Sequence, residues 1–146
     1  MTLLDRAGIA KLIAHAGAMC LLDGLLDWDA DSVRCVSRRF AQADNPLRRA
    51  DGTLGAACGI EIAAQAMALH GRLTAGTDGP AVPGMLASLR DVRLAAARLD
   101  SVAGELLVEV ARLTGDAGGA SYRFALSREG EALVSGRATV LFRAWP

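Results

Sequence analysis

Glu61 and Gln65 interrupt a segment of small and apolar residues, GAACGIEIAAQAMAL, at positions 55–69. Their spacing of four puts both side chains on one face of a helix. An ionised carboxylate among apolar residues costs several kcal/mol unless it is paired or neutralised, so we expect the pKa of Glu61 to be raised. A carboxyl group with a raised pKa can act as a general acid, and Gln65 can orient it. The structural alternatives are a buried Glu61 paired with an arginine or with Gln65, and a Gln65 that bonds the helix to a sheet.

Other side chains near this segment can contribute to the same chemistry. His15 is the candidate general base because an imidazole titrates near neutral pH, although it can equally cap a first helix. Backbone N–H groups of Gly59 and Ile60 at the helix start can bind a carbonyl oxygen, and tight packing explains them as well. Cys58 lies in the same turn and is grouped with them as a candidate substrate-binding residue. A thiol pKa can fall there, but Cys58 lacks an evident base partner, and a small core residue is the simpler explanation. His70 is expected at the far end of the helix, facing its dipole, with no chemical role.

The hydrophobic pattern predicts the elements that must position these residues. Helices are predicted at residues 3–14 and 55–69, and strands at residues 21–28, 33–40, 85–99, 105–113, 120–127 and 133–143. Residues 41–52 read as a polar loop, and Gly71 and Arg72 supply stop signals for the second helix. Segment 85–99 also fits a helix by its own spacing and is assigned as a strand from the architecture. A helix that is apolar on nearly every face must be buried all round, which predicts an α+β fold with a sheet wrapped around it.

Composition excludes several classes of protein. The 146 residues correspond to a single domain, residues 1–146, and 52% are hydrophobic, as in an ordered globular chain. Sixteen basic residues balance sixteen acidic ones, which argues against a nucleic-acid binder. No apolar run reaches the length of a membrane helix and no signal peptide is evident, so we expect a cytoplasmic protein. Cys20, Cys35 and Cys58 are odd in number and too widely spaced for a disulfide framework or a zinc site.

Two blocks carry a family resemblance: IAHAGAMCLLDGLLDWD at 13–29 and GIEIAAQAMALHG at 59–71. The first resembles the opening of 3-hydroxyacyl-acyl-carrier-protein dehydratases of the FabA/FabZ type, where a Pro-His segment leads to Leu-Asp. The second resembles their central helix, where an acidic residue precedes an Ala-Gln pair. The closest likeness is to the divergent dehydratase-like branch found in aryl-polyene and related polyketide or fatty-acid clusters. The resemblance implies the hotdog fold, an antiparallel sheet wrapped around a long central helix.

The same resemblance implies roles for individual residues. It places Glu61 on the family's catalytic acidic position and Gln65 on its Ala-Gln pair, while Asp23 matches the Leu-Asp as a structural hydrogen-bonder. It implies dehydration of a 3-hydroxyacyl thioester carried on the phosphopantetheine of an acyl carrier protein or on CoA, with no metal or redox cofactor. It also implies a site between protomers, in a homodimer or in a heterodimer with a paralogous hotdog protein. Arg48 and Arg49 are candidates to meet the phosphopantetheine phosphate or an acidic carrier protein.

One departure from the family leaves three alternatives open. Housekeeping members carry a Gly-His-Phe-Pro-Gly loop before the helix, and its His is the catalytic base. The corresponding stretch here, FAQADNPLRRADGTLG at 40–55, has no His. Either His15 substitutes for that base in an active dehydratase, or the chain is a catalytically degenerate subunit that completes an active partner. The third alternative is an acyl thioesterase, which uses the same fold with an acidic residue on the same helix.

Overall fold

A single antiparallel sheet packs its inner face on one long helix. The computed structural model describes residues 2–13, 17–77, 84–116 and 118–142. The strands are β1 (Leu4–Asp5), β2 (Gly24–Trp28), β3 (Ser32–Ser37), β4 (Gly84–Leu94), β5 (Leu106–Asp116), β6 (Gly119–Arg128) and β7 (Glu131–Phe142), and the helices are α1 (Arg6–Leu12) and α2 (Gly59–Ala75). The strand order is β1-β2-β3-β5-β6-β7-β4, which leaves β4 at one edge of the sheet. The predicted α+β class, with its sheet around a central helix, is confirmed.

The sequence predicts a meander of about four strands at the end of the chain, but only β5, β6 and β7 form one, because β4 pairs with β7 instead of β5. Every second residue of β6 is buried against α2: Ala120, Tyr122, Phe124 and Leu126. The intervening Arg123 is exposed, as a sheet with one buried face requires. Between β6 and β7, Glu129 and Gly130 have φ angles of 51° and 82°. Two consecutive positive φ angles are typical of the type I′ turn, which matches the twist of a tight hairpin.

Helix α2 supplies the centre of the core but runs further than predicted. Its most buried apolar side chains are Ile62, Ala63, Ala66, Met67 and Leu69. The predicted stop at Gly71 and Arg72 is wrong, because the helix continues to Ala75 and ends at Gly76, whose φ is 100°. Gly71 instead permits close packing, since a Cβ there would lie 2.9 Å from the ring of Phe142.

Several other boundaries differ from the predicted ones: β2 begins at Gly24 rather than at residue 21, and β3 ends at Ser37 rather than at residue 40. Helix α1 begins only at Arg6, because Leu4–Asp5 pairs with β2. Asp5 then caps the helix by accepting a hydrogen bond from the backbone N–H of Gly8 at 2.9 Å. Segment 85–99 is a strand only as far as Leu94, where β4 ends. Within the described residues, no helix is both long and apolar enough to cross a membrane.

Candidate functional site

One face of α2 is left uncovered by the sheet and lines a cleft of about 770 Å³. Along this face Glu61, Ala64, Ala68 and Arg72 are half-buried, whereas the sheet-facing side of the helix is fully buried. The opposite walls come from the end of α1 and from four strands, with Leu12, Ile13, Leu86, Arg112, Tyr122, Val140 and Phe142 among the lining residues. The prediction of a helix buried all round therefore holds for its inner side only. The cleft has mostly apolar walls and carries two carboxylates, Glu61 near its end at the start of α2 and Asp116 at the end of β5.

Gln65 fixes the position of Glu61 relative to a distant part of the chain. The Gln65 side chain is 0% exposed. Its Oε1 accepts a hydrogen bond from the backbone N–H of Leu21 at 2.9 Å, and its Nε2 donates to the Met19 carbonyl at 2.7 Å. The same Nε2 lies 3.3 Å from Glu61 Oε1, to which it donates a second hydrogen bond. Gln65 therefore contacts the carboxylate and ties the helix to the segment before β2, not to a strand of the sheet as the structural alternative expected. Its catalytic role stays a prediction.

His15, the candidate base, lies outside the described residues. Two described residues near it in the sequence have contacts in this region. Ile13 lines the cleft, and the Met19 carbonyl accepts a hydrogen bond from Gln65. The role of His15 stays a prediction.

The three residues predicted to bind substrate at the helix start do not line the cleft. A Cβ on Gly59 would lie 3.1 Å from Val134 and 3.2 Å from Leu126, so this glycine allows the helix to approach the sheet closely. Cys58 is half-buried and its Sγ lies 3.9 Å from the Leu47 carbonyl. Ile60 packs against the core. These contacts support the packing interpretation of the helix start, while a substrate-binding role for Cys58, Gly59 and Ile60 stays a prediction.

His70 has a structural role that the sequence did not reveal. Its ring is 0% exposed, with Nδ1 2.9 Å from the Tyr122 hydroxyl and Nε2 3.0 Å from the Asp29 carbonyl. Because a carbonyl can only accept, Nε2 carries the proton and the Tyr122 hydroxyl donates to Nδ1. Burial lowers the pKa of His70, so the ring is neutral at pH 7 and the expected interaction of a charged ring with the helix dipole is wrong.

Tyr122 joins this buried pair to the cleft, which its side chain helps to line. Burial raises the pKa of Tyr122 to about 12, although the nearby charge of Arg112 opposes the shift. The hydroxyl is therefore protonated and can remain a donor to His70. The alternation of β6 predicts that Tyr122 points inward, but no sequence signal pairs it with a histidine 52 positions away.

The polar residues flanking the helix mostly organise loops. The Arg48 guanidinium donates hydrogen bonds to the carbonyls of Ala41, Gln42 and Gly52, and so closes the loop before α2. These bonds hold its guanidinium within the chain, and a contact of Arg48 with a phosphate or a carrier protein stays a prediction. Asp23 accepts a hydrogen bond from the backbone N–H of Arg38 at 2.5 Å, in agreement with its predicted structural role.

A protein-family model matches most of this chain. Residues 7–144 match the family model described as ApeP-like, ApeP dehydratase. The chain belongs to the ApeP-like dehydratase family. No curated protein sequence matches it.

Solved structures with the same fold include one dehydratase and several thioesterases. The chain is similar to the dehydratase heterocomplex ApeI:P from Xenorhabdus doucetiae, with a TM-score of 0.82, 23% identity, and 93% of this chain and 91% of that chain covered. It is also similar to thioesterase HI1161 from Haemophilus influenzae, with a TM-score of 0.63, 12% identity and coverages of 94% and 90%. A mutant of thioesterase PA1618 from Pseudomonas aeruginosa matches with a TM-score of 0.57, 13% identity and coverages of 81% and 78%. The predicted hotdog fold is thereby confirmed.

Proposed function

We propose that this ApeP-like chain dehydrates 3-hydroxyacyl thioesters, with Glu61 as the general acid. The observation that carries the proposal is the Glu61 carboxylate in the cleft, oriented by the fully buried amide of Gln65. Membership of a dehydratase family supports the reaction class. The apolar walls of the cleft suit an acyl chain, which needs burial rather than hydrogen bonds.

The proposed reaction needs two proton transfers. A base removes the proton from C2 of the acyl chain, and Glu61 protonates the hydroxyl on C3 as the C3–O bond breaks. Water leaves and a C2–C3 double bond forms. The elimination is redox-neutral, so the proposal requires no redox cofactor and no metal. We assign the base to His15, because two described residues near it in the sequence have contacts in this region: Ile13 lines the cleft, and the Met19 carbonyl accepts a hydrogen bond from Gln65.

We also propose that the substrate arrives on the phosphopantetheine of an acyl carrier protein, or on CoA, in the cytoplasm. The family resemblance supports this setting and points to fatty-acid or polyketide-type biosynthesis, as for aryl polyenes. Arg49, which is exposed beside the loop that Arg48 closes, remains the candidate for contact with an acidic carrier.

A partner subunit is part of the proposal. The cleft is open along one face of α2, and the neighbouring edge strand β4 exposes apolar side chains, among them Leu86 and Leu89. A second hotdog chain on this side would enclose the cleft. Similarity to the dehydratase heterocomplex ApeI:P supports a heterodimer with a paralogous hotdog protein.

A second candidate function is that of a catalytically degenerate subunit. The observation that favours it is the loop at residues 40–55, which carries no histidine although housekeeping relatives place their base there. In this case the chain completes the site of an active paralogue. Because thioesterases are among the similar structures, hydrolysis of acyl thioesters is a third candidate function.

The test is dehydration of 3-hydroxyacyl thioesters of several chain lengths on carrier protein, followed as mass loss of water. The chain is assayed alone and together with a paralogous hotdog dehydratase. We expect Glu61→Gln to lower the rate at least about 100-fold, the usual contribution of a general acid. The matched control Glu109→Gln removes an exposed carboxylate on the outer sheet face and should leave the rate unchanged.

Each alternative has its own result in the same assay. Equal rates for wild type and Glu61→Gln, in a complex that turns over, would show that the activity belongs to the paralogue. Absence of dehydration in folded samples under both conditions would reject the dehydratase proposal. Release of free thiol without loss of water would identify a thioesterase.

A further inference from the structure

The outer face of the edge strand β4 continues a row of arginines across the sheet. Arg90 of β4 is paired in register with Arg137 of β7, and Arg137 is paired with Arg123 of β6. All three side chains are exposed. Like charges placed directly opposite one another destabilise a sheet, so this row needs negative charge nearby.

The chain supplies only part of that negative charge. The register shifts between Arg90 and Arg93, and Asp91 in the resulting bulge has a φ of 53°. The bulge places the Asp91 carboxylate on Arg137, whose Nε donates to it at 2.9 Å and whose second nitrogen also bonds to it. Among the described residues, Arg90 and Arg93 form no ion pair. The carboxylate of Asp91 also acts on Arg90 and Arg93 through its charge, so one acid is shared by three arginines along this edge.

The same edge has the features of a pairing surface. In the part of the chain that the structure describes, strand β4 bonds to β7 on one side only, and no strand lies beside its outer backbone groups. Its inward-facing residues Leu86, Leu89 and Leu94 are 38%, 40% and 47% exposed. An edge with open hydrogen-bonding groups and exposed apolar side chains can accept a strand of another chain.

Charge distinguishes between the chains that this edge can accept. In a two-fold dimer the same strand pairs with itself in opposite directions. The midpoint of Gly84–Leu94 is Leu89, so pairing centred there brings the two Arg90 side chains to neighbouring positions across the seam. The two arginine rows would then join into one band across both sheets. Self-pairing therefore increases the repulsion that already exists within one sheet.

We propose that β4 selects a different hotdog chain, one with acidic side chains on the outer face of its own edge strand, over a second copy of this chain. This inference rests on the assembly named under the proposed function. An acidic edge would neutralise Arg90 and Arg93, while its backbone and apolar side chains would continue the sheet. The arginines thus determine which partner completes the cleft, and the leucines supply the buried area.

A charge-reversed copy of this chain provides the acidic probe. Tagged Arg90→Glu/Arg93→Glu protein is mixed with the wild type, and homodimers and heterodimers are counted by native mass spectrometry and sedimentation. At about 0.1 M salt we expect the mixed dimer in at least about tenfold excess over a statistical distribution, since the reversed charge at position 90 then lies beside Arg90 of the other chain. At about 1 M salt, where screening acts over roughly 3 Å, the excess should disappear.

Two further variants control for folding and for net charge. Arg34→Glu/Arg128→Glu reverses the same number of charges on β3 and at the end of β6, away from β4, and should give no preference for the mixed dimer. Neutral Arg90→Gln/Arg93→Gln should self-associate more tightly than wild type at low salt. The proposal is overturned by a statistical mixture at low salt, by the absence of any mixed dimer, or by a wild-type homodimer as tight as the mixed dimer. None of these results depends on dehydration, so they are distinguishable from a failure of the proposed reaction.

Discussion

Replacing Gln65 with methionine tests whether its buried amide holds the site together. Methionine has a similar length and fills the same space, but it can neither donate to the Met19 carbonyl nor accept from the Leu21 N–H. Both backbone groups would lose the partner that they have in the native protein. Glu61 would lose the donor that orients its carboxylate.

The expected loss of stability follows from these two backbone groups. A buried polar group left without its partner costs about 1–3 kcal/mol. The Leu21 N–H is fully buried and the Met19 carbonyl only partly, so we expect the free energy of unfolding to fall by about 2–4 kcal/mol. For a domain of this size, that corresponds to a fall in Tm of roughly 5–15 °C.

Thermal and urea unfolding followed by circular dichroism would measure the loss. The matched control is the same substitution at the exposed Gln42, which should change the free energy of unfolding by less than about 0.5 kcal/mol. If dehydration is detected, Gln65→Met should also lower its rate at temperatures where the variant is folded. A loss of stability at Gln65 no larger than at Gln42 would refute the reasoning, because the two backbone groups would then not depend on the amide.

Two further predictions follow from buried titratable groups. Burial lowers the pKa of His70 below its ordinary value of 6.5, so the unfolded chain takes up a proton more readily than the native one. The contribution of neutral His70 to stability is complete above pH 6.5 and is lost as pH falls from 6.5 towards the lowered pKa. The free energy of unfolding of His70→Gln should therefore depend less on pH than that of the wild type. An unchanged pH dependence would contradict a neutral, buried His70. Burial raises the pKa of Cys35 to about 12, and both Cys20 and Cys35 are 0% exposed. A thiol reagent on the native protein should therefore label at most Cys58, with the other two reacting only after unfolding, and rapid labelling of Cys35 in the native state would contradict this burial.

Local patterns were sufficient for most elements of the fold. The alternation of apolar and polar residues along β6 predicted which side chains of that strand face the helix, because residues two apart share one face of a sheet. The apolar segment at 55–69 predicted the central helix, because a helix that is apolar on nearly every face must be covered by other elements. Gly71 misled the prediction, because the same residue type serves turns and close packing, and only the ring of Phe142 shows which use applies.

The sequence of β4 was ambiguous for a physical reason. Its apolar residues follow neither a helical nor a strand period cleanly, since a bulge at Asp91 shifts the alternation midway. The single chain also buries none of its residues. The pattern of apolar residues in a strand indicates burial within one chain only where another segment of that chain covers the strand.

In the candidate site, too, the sequence predicted the local geometry and the tertiary structure decided the contacts between distant segments. The spacing of Glu61 and Gln65 by itself determined that the two side chains share a helix face, because four residues are about one helical turn. Only the tertiary structure decided what Gln65 binds, since its backbone partners come from a segment 44 to 46 positions earlier. It also decided that His70 is a neutral partner of Tyr122 rather than a charge at a helix end. Spacing along one helix sets geometry directly, whereas contacts between distant segments depend on how the whole sheet packs against that helix.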